Sequence, residues 1–353
     1  MLTKTAKIII ITAVAVAISL IILSDFFVLQ SRFYGTKTIT VSKGEGLRKV
    51  ADNLQKERVI NSSLIFTIYA VATNNAKNVR VGQYEFDGTE NIPGVIAIIT
   101  KGRVVEKQIT IIEGWNLADI GEYVDNLKIG NADEFFKLAG KPLYLNRSLI
   151  REDCQGLIGE GINNYNNEYS FLADKPGDTN LEGYLFPDSY RISFGADIMA
   201  VIKIMLDNFD RKLTPALRAE IKRQDKSIAE IVTMASLLER EVKTLSEKQI
   251  VAGILWKRLS IGMPLQVDST VLYSLGPRDR VSYVDTATCS PYNTYRRKGL
   301  PIGPISNPGI DSIMAAIYPE KSDYLYYLST KDGRTLFSRT LEEHNIKKEK
   351  YLR

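Results

Sequence analysis

The uncharged run IIIITAVAVAISLIILS, residues 8–24, constrains this chain more than any other feature. An apolar helix of that length crosses a bilayer, and Lys4 and Lys7 precede it while Asp25, Phe26 and Phe27 follow. The lysines favour a cytoplasmic N-terminus, which places everything after Asp25 outside. The competing reading is a cleaved signal peptide. A signal peptide has a shorter apolar core, and the LSDFFVLQ that follows is too bulky for a small-x-small cleavage site. The expected layout is therefore a cytoplasmic tail over 1–7 and an uncleaved single-pass anchor over 8–29. The remainder lies on the periplasmic or extracytoplasmic side of the inner (cytoplasmic) membrane.

The 353 residues leave room for two or three domains beyond the anchor. A net charge of +5 is too diffuse to argue for nucleic acid, which asks for Lys and Arg clustered on one element. It suits an anionic wall or membrane surface, or simply a solvated face of mixed charge. The residue inventory excludes more. His344 is the one histidine, and Cys154 and Cys289 are the two cysteines. No G-x-S-x-G elbow, zinc-ligand spacing or phosphate-binding glycine loop occurs, so no metal or cofactor is expected. The cysteines pair in an oxidising compartment or stand as two separate thiols; sequence leaves both open.

Two segments resemble each other about 70 residues apart. VSKGEGLRKVADNL begins at Val41 and IIEGWNLADIGEYV at Ile111. Gly44, Leu47, Val50 and Leu54 align with Gly114, Leu117, Ile120 and Val124, and Ile65-Phe66 with Phe135-Phe136. Each reads as a short strand, a glycine turn and an amphipathic helix. Between them lie a strand at Tyr84 to Phe86, a turn at Asp87-Gly88 and another short helix. The repeats serve either as a scaffold or as a grip on a polymer.

NLEGYLFPDSYRI, from Asn180, is the most informative stretch. Pro187 biases Phe186 toward extended backbone, and in a strand alternate residues share a face. Glu182 would then stand between Tyr184 and Phe186. Aromatic flanks disfavour the ionised carboxylate and raise its pKa, as a general acid near neutral pH requires, and their rings offer flat surfaces to a sugar. A solvated carboxylate on a strand edge is the plainer alternative. Downstream, Ser227 and Glu230 form a capping box that starts a helix whose apolar stripe runs from Ile228 to Val242, with Glu239 on its edge. Ser246 and Gln249 read as a second box opening a helix through Leu259. LQVDSTVLYSLG carries a short helix capped at Asp268 or Ser269 and stopped by Gly276. SPYNTYRRKGLPIGPISNPG, from Ser290, is a long loop of the kind that carries function. A helix from Ile310, a hairpin turning at Asp332-Gly333 and a last helix capped by Thr340 complete the chain. His344, in the first turn of that last helix, reads as structural.

The stretches LEGYLFPDSY, ASLLEREV, LQVDST, SPYNTYRRKGLPIGPISNPG, YLYYLS and FSRTLEEHN, in this order, resemble the endolytic murein transglycosylase family, MltG or YceG-like. Two segments depart from its pattern: Ser269 replaces the proline of a Q-S-D-P-T-like segment, and Ile302 the second proline of L-P-P-G-P. The resemblance implies an α+β protein with three parts. They are an N-terminal transmembrane helix, a small LysM-like β/α repeat domain over 36–150, and a mixed α/β catalytic domain over 151–353. It implies a lyase that cuts peptidoglycan glycan strands, with Glu182 as the catalytic acid. It gives the muramyl 6-hydroxyl the role of attacking C1, so one carboxyl suffices where a hydrolase needs two. Tyr184, Phe186, Glu239, Gln266, Asn293 and Tyr295 are the candidate sugar contacts. Peptidoglycan synthases are candidate partners.

Two other functions compete. A hydrolase would use Asp188, Glu239 or Asp268 as its second carboxylate and would leave a reducing muramyl end. A membrane-tethered scaffold would bind glycan through the repeats and need no acid at 182.

Overall fold

The two halves of the repeat take the same local path because each needs one residue that an L side chain disfavours. Gly44 and Gly114 both sit at φ 81°, where a Cβ would strain the backbone. Each turns a strand into a helix: β1 (Lys37–Val41) into α1 (Leu47–Lys56) in the first half, with α2 (Ser63–Ala72) following. Further on come β2 (Gly82–Phe86) and α3 (Ile92–Lys101), then β3 (Glu106–Thr110), α4 (Leu117–Asn126) and α5 (Ala132–Ala139) of the second half. Arg58 and Lys128, just past α1 and α4, share a left-handed φ of 57° and 55°. The computed structural model describes Thr12 and residues 33–352, except 43, 102–105, 146–151, 155–160, 163, 194, 279 and 331. The anchor expected over 8–29 lies outside the described residues apart from Thr12. Among the described residues no helix is long and apolar enough to cross a membrane.

The chain divides into two compact units. The first holds residues up to Gln108 together with Arg191–Ala196. Its β1 and β2 pair antiparallel, with Ile39 opposite Tyr84 and Val41 opposite Gly82. Ile39, Val41, Tyr84 and Phe86 face inward and pack with Val50, Leu54, Phe66, Val95 and Ile99 from the three helices. The alternation of buried and exposed residues along each strand is what a two-stranded ribbon with one covered face requires.

The second unit holds Ile109–Tyr190 and Asp197–Arg353. This division falls well before the boundary at 150 read from the sequence, and it puts the second half of the repeat in the same unit as Glu182. The reason is packing: Leu117, Ile120 and Val124 of α4 are fully buried there. β4 (Ser189–Ser193) pairs with β3. α6 (Ile198–Lys212) and α7 (Pro215–Arg223) lead to α8 (Ile228–Glu241), whose Ser227–Glu230 capping box forms as the sequence indicates. α8 is buried almost all round, as expected of a helix at the centre of a unit. Around it pack α9 (Leu245–Ser260), α10 (Asp268–Leu275) and α11 (Ile310–Ile317). The hairpin of β5 (Tyr326–Ser329) and β6 (Thr335–Ser338) and the final α12 (Leu341–Leu352) close the chain. The second capping box is a correction. It is built by Thr244 and Glu247, not Ser246 and Gln249, because Thr244 is the residue whose backbone is extended before the first turn. Cys154 and Cys289 are joined as a disulfide, with Cα atoms 5.3 Å apart.

One buried ion pair ties α8, α9 and α11 together. Lys248 Nζ lies 3.1 Å from Glu239 Oε1, and both side chains are shielded from water. Glu239 Oε2 also accepts from Gly309 N at 3.0 Å and Ser312 Oγ at 2.6 Å at the start of α11. Removing one partner strands a charge in a dry site. Lys248→Met is therefore expected to cost about 3–5 kcal/mol, read as a lowered midpoint in urea unfolding.

Candidate active site

Glu182 does not lie on a strand. Leu181 to Leu185 form a turn, and Gly183 takes φ 87°. No other residue fits there, because a Cβ at Gly183 would stand 2.5 Å from Pro304 Cβ and 2.8 Å from Val232 Cγ1. The turn breaks the alternation assumed from Pro187. Tyr184 and Phe186 are consequently buried in the core and do not flank the carboxyl. Tyr184 packs 5.7 Å from the Phe209 ring and 6.3 Å from that of Phe171, and Phe186 packs 6.4 Å from Phe209. Neither ring is placed to hold a sugar.

Asn307 holds the turn. Its Oδ1 accepts from Gly183 N at 2.9 Å and Leu185 N at 3.0 Å. Its Nδ2 donates to Trp115 O at 3.0 Å and to Glu182 Oε1 at 3.2 Å. Its own backbone bonds both ways to the repeat loop, Asn307 N to Trp115 O and Gly114 N to Asn307 O. One buried amide thus joins the loop before α11, the turn of Glu182 and the loop before α4.

The carboxyl of Glu182 is fully buried and meets two further donors. Leu117 N, the first amide of α4, lies 3.1 Å from Oε1 and 3.2 Å from Oε2. That amide has no partner within its own helix, and the positive helix end favours an anion. Tyr273 Oη of α10 donates to Oε2 at 3.1 Å. Burial is the largest influence and raises the pKa to about 8; Leu117 N–H, Tyr273 and Arg240 pull it down, and Asp119 pushes it up. The group is mostly protonated at pH 7, and its donors stabilise the carboxylate once the proton leaves.

Tyr273 also lines a cleft of about 150 Å³, together with Asn116, Asp119, Tyr144, Arg240, Ser269, Leu272 and Arg278. Arg240 Nη1 reaches Gly114 O at 3.3 Å. Asp119 Oδ2 is held by Asn116 N at 2.8 Å in the capping box of α4.

The other residues singled out in the sequence are scattered. Glu239 is committed to Lys248 and α11, as described. Asn293 is buried; its Nδ2 donates to Thr286 O and Thr288 O, and its Oδ1 accepts from Tyr295 N, so it shapes its own loop. Gln266 and Tyr295 line a second cavity of about 370 Å³, with Glu241, Arg258, Asp268, Tyr326 and His344. Tyr295 Oη donates to Asp268 there. His344 stacks on Tyr326 with ring centroids 5.5 Å apart, in keeping with a structural part. Asn307, Tyr273 and the Leu117 amide were missed. Asn307 stands inside the long loop already singled out, and Tyr273 inside the short helix stopped by Gly276; the amide is a backbone group at a helix start and leaves no residue-type signal.

A family model described as the YceG-like family matches residues 39–350. The endolytic murein transglycosylase of Bacillus subtilis (strain 168) is 33% identical over 321 residues, spanning 90% of this chain and 85% of that protein. The protein of the same description from Streptococcus pneumoniae serotype 2 is 28% identical over 87% of this chain, which spans 57% of that relative's length. The crystal structure of a YceG-like protein from Listeria monocytogenes matches with a TM-score of 0.56 and 32% identity, covering 88% of this chain and 98% of that one.

Asn307→Ala leaves the Gly183 and Leu185 amides without their acceptor, each at about 1–3 kcal/mol. A lowered thermal midpoint is the expected result. The pH dependence follows from the raised pKa of Glu182. Between about 4.5 and about 8 the folded chain holds a proton at this site that the unfolded chain releases. Its contribution to stability is full below that window and is lost as pH rises through it. Urea titrations from pH 5 to 9 are expected to show wild type losing stability relative to Glu182→Gln across the window; a flat difference would contradict the assignment.

Proposed function

The chain belongs to the YceG-like family, and from that membership and its buried acid we infer that it is an endolytic murein transglycosylase. It is a lyase acting on peptidoglycan. It cuts the β-1,4 bond between N-acetylmuramic acid and N-acetylglucosamine and leaves 1,6-anhydromuramyl ends. The observation that carries the chemistry is the setting of Glu182: full burial, which raises its pKa to about 8, among donors that welcome the carboxylate.

The steps balance without water. The proton of Glu182 goes to the glycosidic oxygen as the C1–O bond breaks, and the bond electrons leave with that oxygen. The muramyl 6-hydroxyl attacks C1, and its proton returns to the Glu182 carboxylate. The three donors lower the cost of the carboxylate between the two transfers. A hydrolytic route would need a second carboxylate beside the cleft. Asp188, Glu239 and Asp268, the candidates for it, do not line the cleft; Asp119 does, and its Oδ2 is tied to Asn116 N in the capping box of α4. Asp188 is bound by Asn208 and Ser189, Glu239 by Lys248, and Asp268 by Tyr295.

The same reading includes a layout. Residues 8–29 anchor the chain in the cytoplasmic membrane with the N-terminus inside, and the remainder works outside. The Cys154–Cys289 disulfide supports an oxidising compartment. In this reading the LysM-like repeat grips glycan and the part of the chain that carries Glu182 cuts it. A cut close to the membrane would terminate nascent strands, which makes peptidoglycan synthases fitting partners.

Glu182→Gln keeps the shape and removes the titrating proton. Product release from glycan strands, followed by mass spectrometry, is expected to fall by about 10²–10⁴-fold or more. Wild-type products should be anhydro-ended, lighter by one water than hydrolytic ends. The wild-type rate should drop as pH rises through about 8, where the acid loses its proton. Undiminished release by Glu182→Gln would sink the assignment.

A further inference from the structure

Glu182 has no surface of its own: its side chain is fully buried, whereas Tyr273 both touches it and lines the cleft. The partners of the carboxyl differ in kind. Leu117 N–H and Asn307 Nδ2 are donors only. A protonated carboxyl must itself donate, and among these partners the Tyr273 hydroxyl alone can accept. When it accepts, its own proton is released for donation elsewhere. Asn180 precedes the turn that carries the acid, and the Tyr292 ring packs on that of Tyr273. Asn180 is itself fixed, accepting from Glu182 N at 3.0 Å and donating to Lys141 O at 2.8 Å. The Tyr273 ring is held 4.9 Å from that of Tyr292.

We propose that Tyr273 is the proton relay of this site, passing the proton of Glu182 to the leaving glycosidic oxygen in the cleft and returning the proton of the 6-hydroxyl to Glu182. The proposal rests on the transglycosylase reading. In the forward transfer the Glu182 O–H bond breaks as Tyr273 Oη takes that proton. The original Tyr273 O–H bond breaks in the same event as the glycosidic oxygen takes its proton. Tyr273 ends neutral, Glu182 ends as carboxylate, and the C1–O electrons rest on the leaving oxygen. The return transfer runs in reverse as the 6-hydroxyl closes on C1. Burial and the neighbouring carboxyl hold the phenol far above its ordinary ionisation range, so it acts by exchanging protons and not as a phenolate.

The test uses the full chain, uncross-linked glycan strands and single turnovers with enzyme in excess, in mixtures of H2O and D2O. Two protons moving together in wild type are expected to give a bowl-shaped dependence of rate on deuterium fraction. Tyr273→Phe keeps the ring and removes the relay. It is expected to lower the single-turnover rate by about 100-fold or more while glycan affinity stays within about threefold. The residual rate should persist to higher pH than in wild type, because the carboxylate has lost one donor. A straight-line dependence in wild type overturns the relay, even if the variant fails to fold. So does a Tyr273→Phe rate within about threefold of wild type. If Tyr273→Phe is active and Glu182→Gln is dead, the relay fails and the acid stands; if both are active, the transglycosylase assignment of Glu182 fails with it.

Discussion

The Asn307 amide bears on every part of the site. It is buried, and all its hydrogen-bonding capacity is engaged: two turn amides on its oxygen, a repeat-loop carbonyl and the acid on its nitrogen. The Gly183 turn has no strand partner to fix it, so without this brace two buried amides would lack acceptors. The Asn307 nitrogen also reaches Glu182 Oε1, and the same carboxyl meets the first amide of α4, a helix that comes from the repeat.

The chemistry follows from a balance between burial and donation. Burial alone would give a carboxyl that never releases its proton; donors alone would give one that never holds it. Here desolvation outweighs a helix-end amide, a phenol and the Arg240 charge by a margin that places the pKa at about 8. Such a group is suited to give up a proton and take one back, as the proposed cycle requires. Tyr273 differs from the other donors in being able to reverse its hydrogen bond, and it stands between the acid and the cleft.

Much of the fold was legible because it depends on local rules. The glycine turns at 44 and 114, the Ser227–Glu230 box, the hairpin at Asp332-Gly333 and the stop at Gly276 each need only their own neighbours along the chain. The errors came where a local rule was applied to a segment ruled by distant contacts. The strand expected at 182–186 assumed that a proline sets the backbone before it. Pro304 and Val232 instead force a glycine turn, and that turn sends Tyr184 and Phe186 into the core. Glu239 looked like a cleft residue because it sits at the edge of an apolar stripe, but Lys248 on the next helix claims it.

Sequence alone therefore determined which residue types stand at which turns, caps and helix starts, and the family resemblance carried by LEGYLFPDSY singled out Glu182. Those are properties of neighbours, and neighbours are written in order. Tertiary structure decided what surrounds that carboxyl. Leu117, Tyr273 and Asn307 lie far from it along the chain, and no local pattern names them as its partners. The pKa of an acid depends on the water removed from it and the donors aimed at it, and both are assembled only when distant segments close over it.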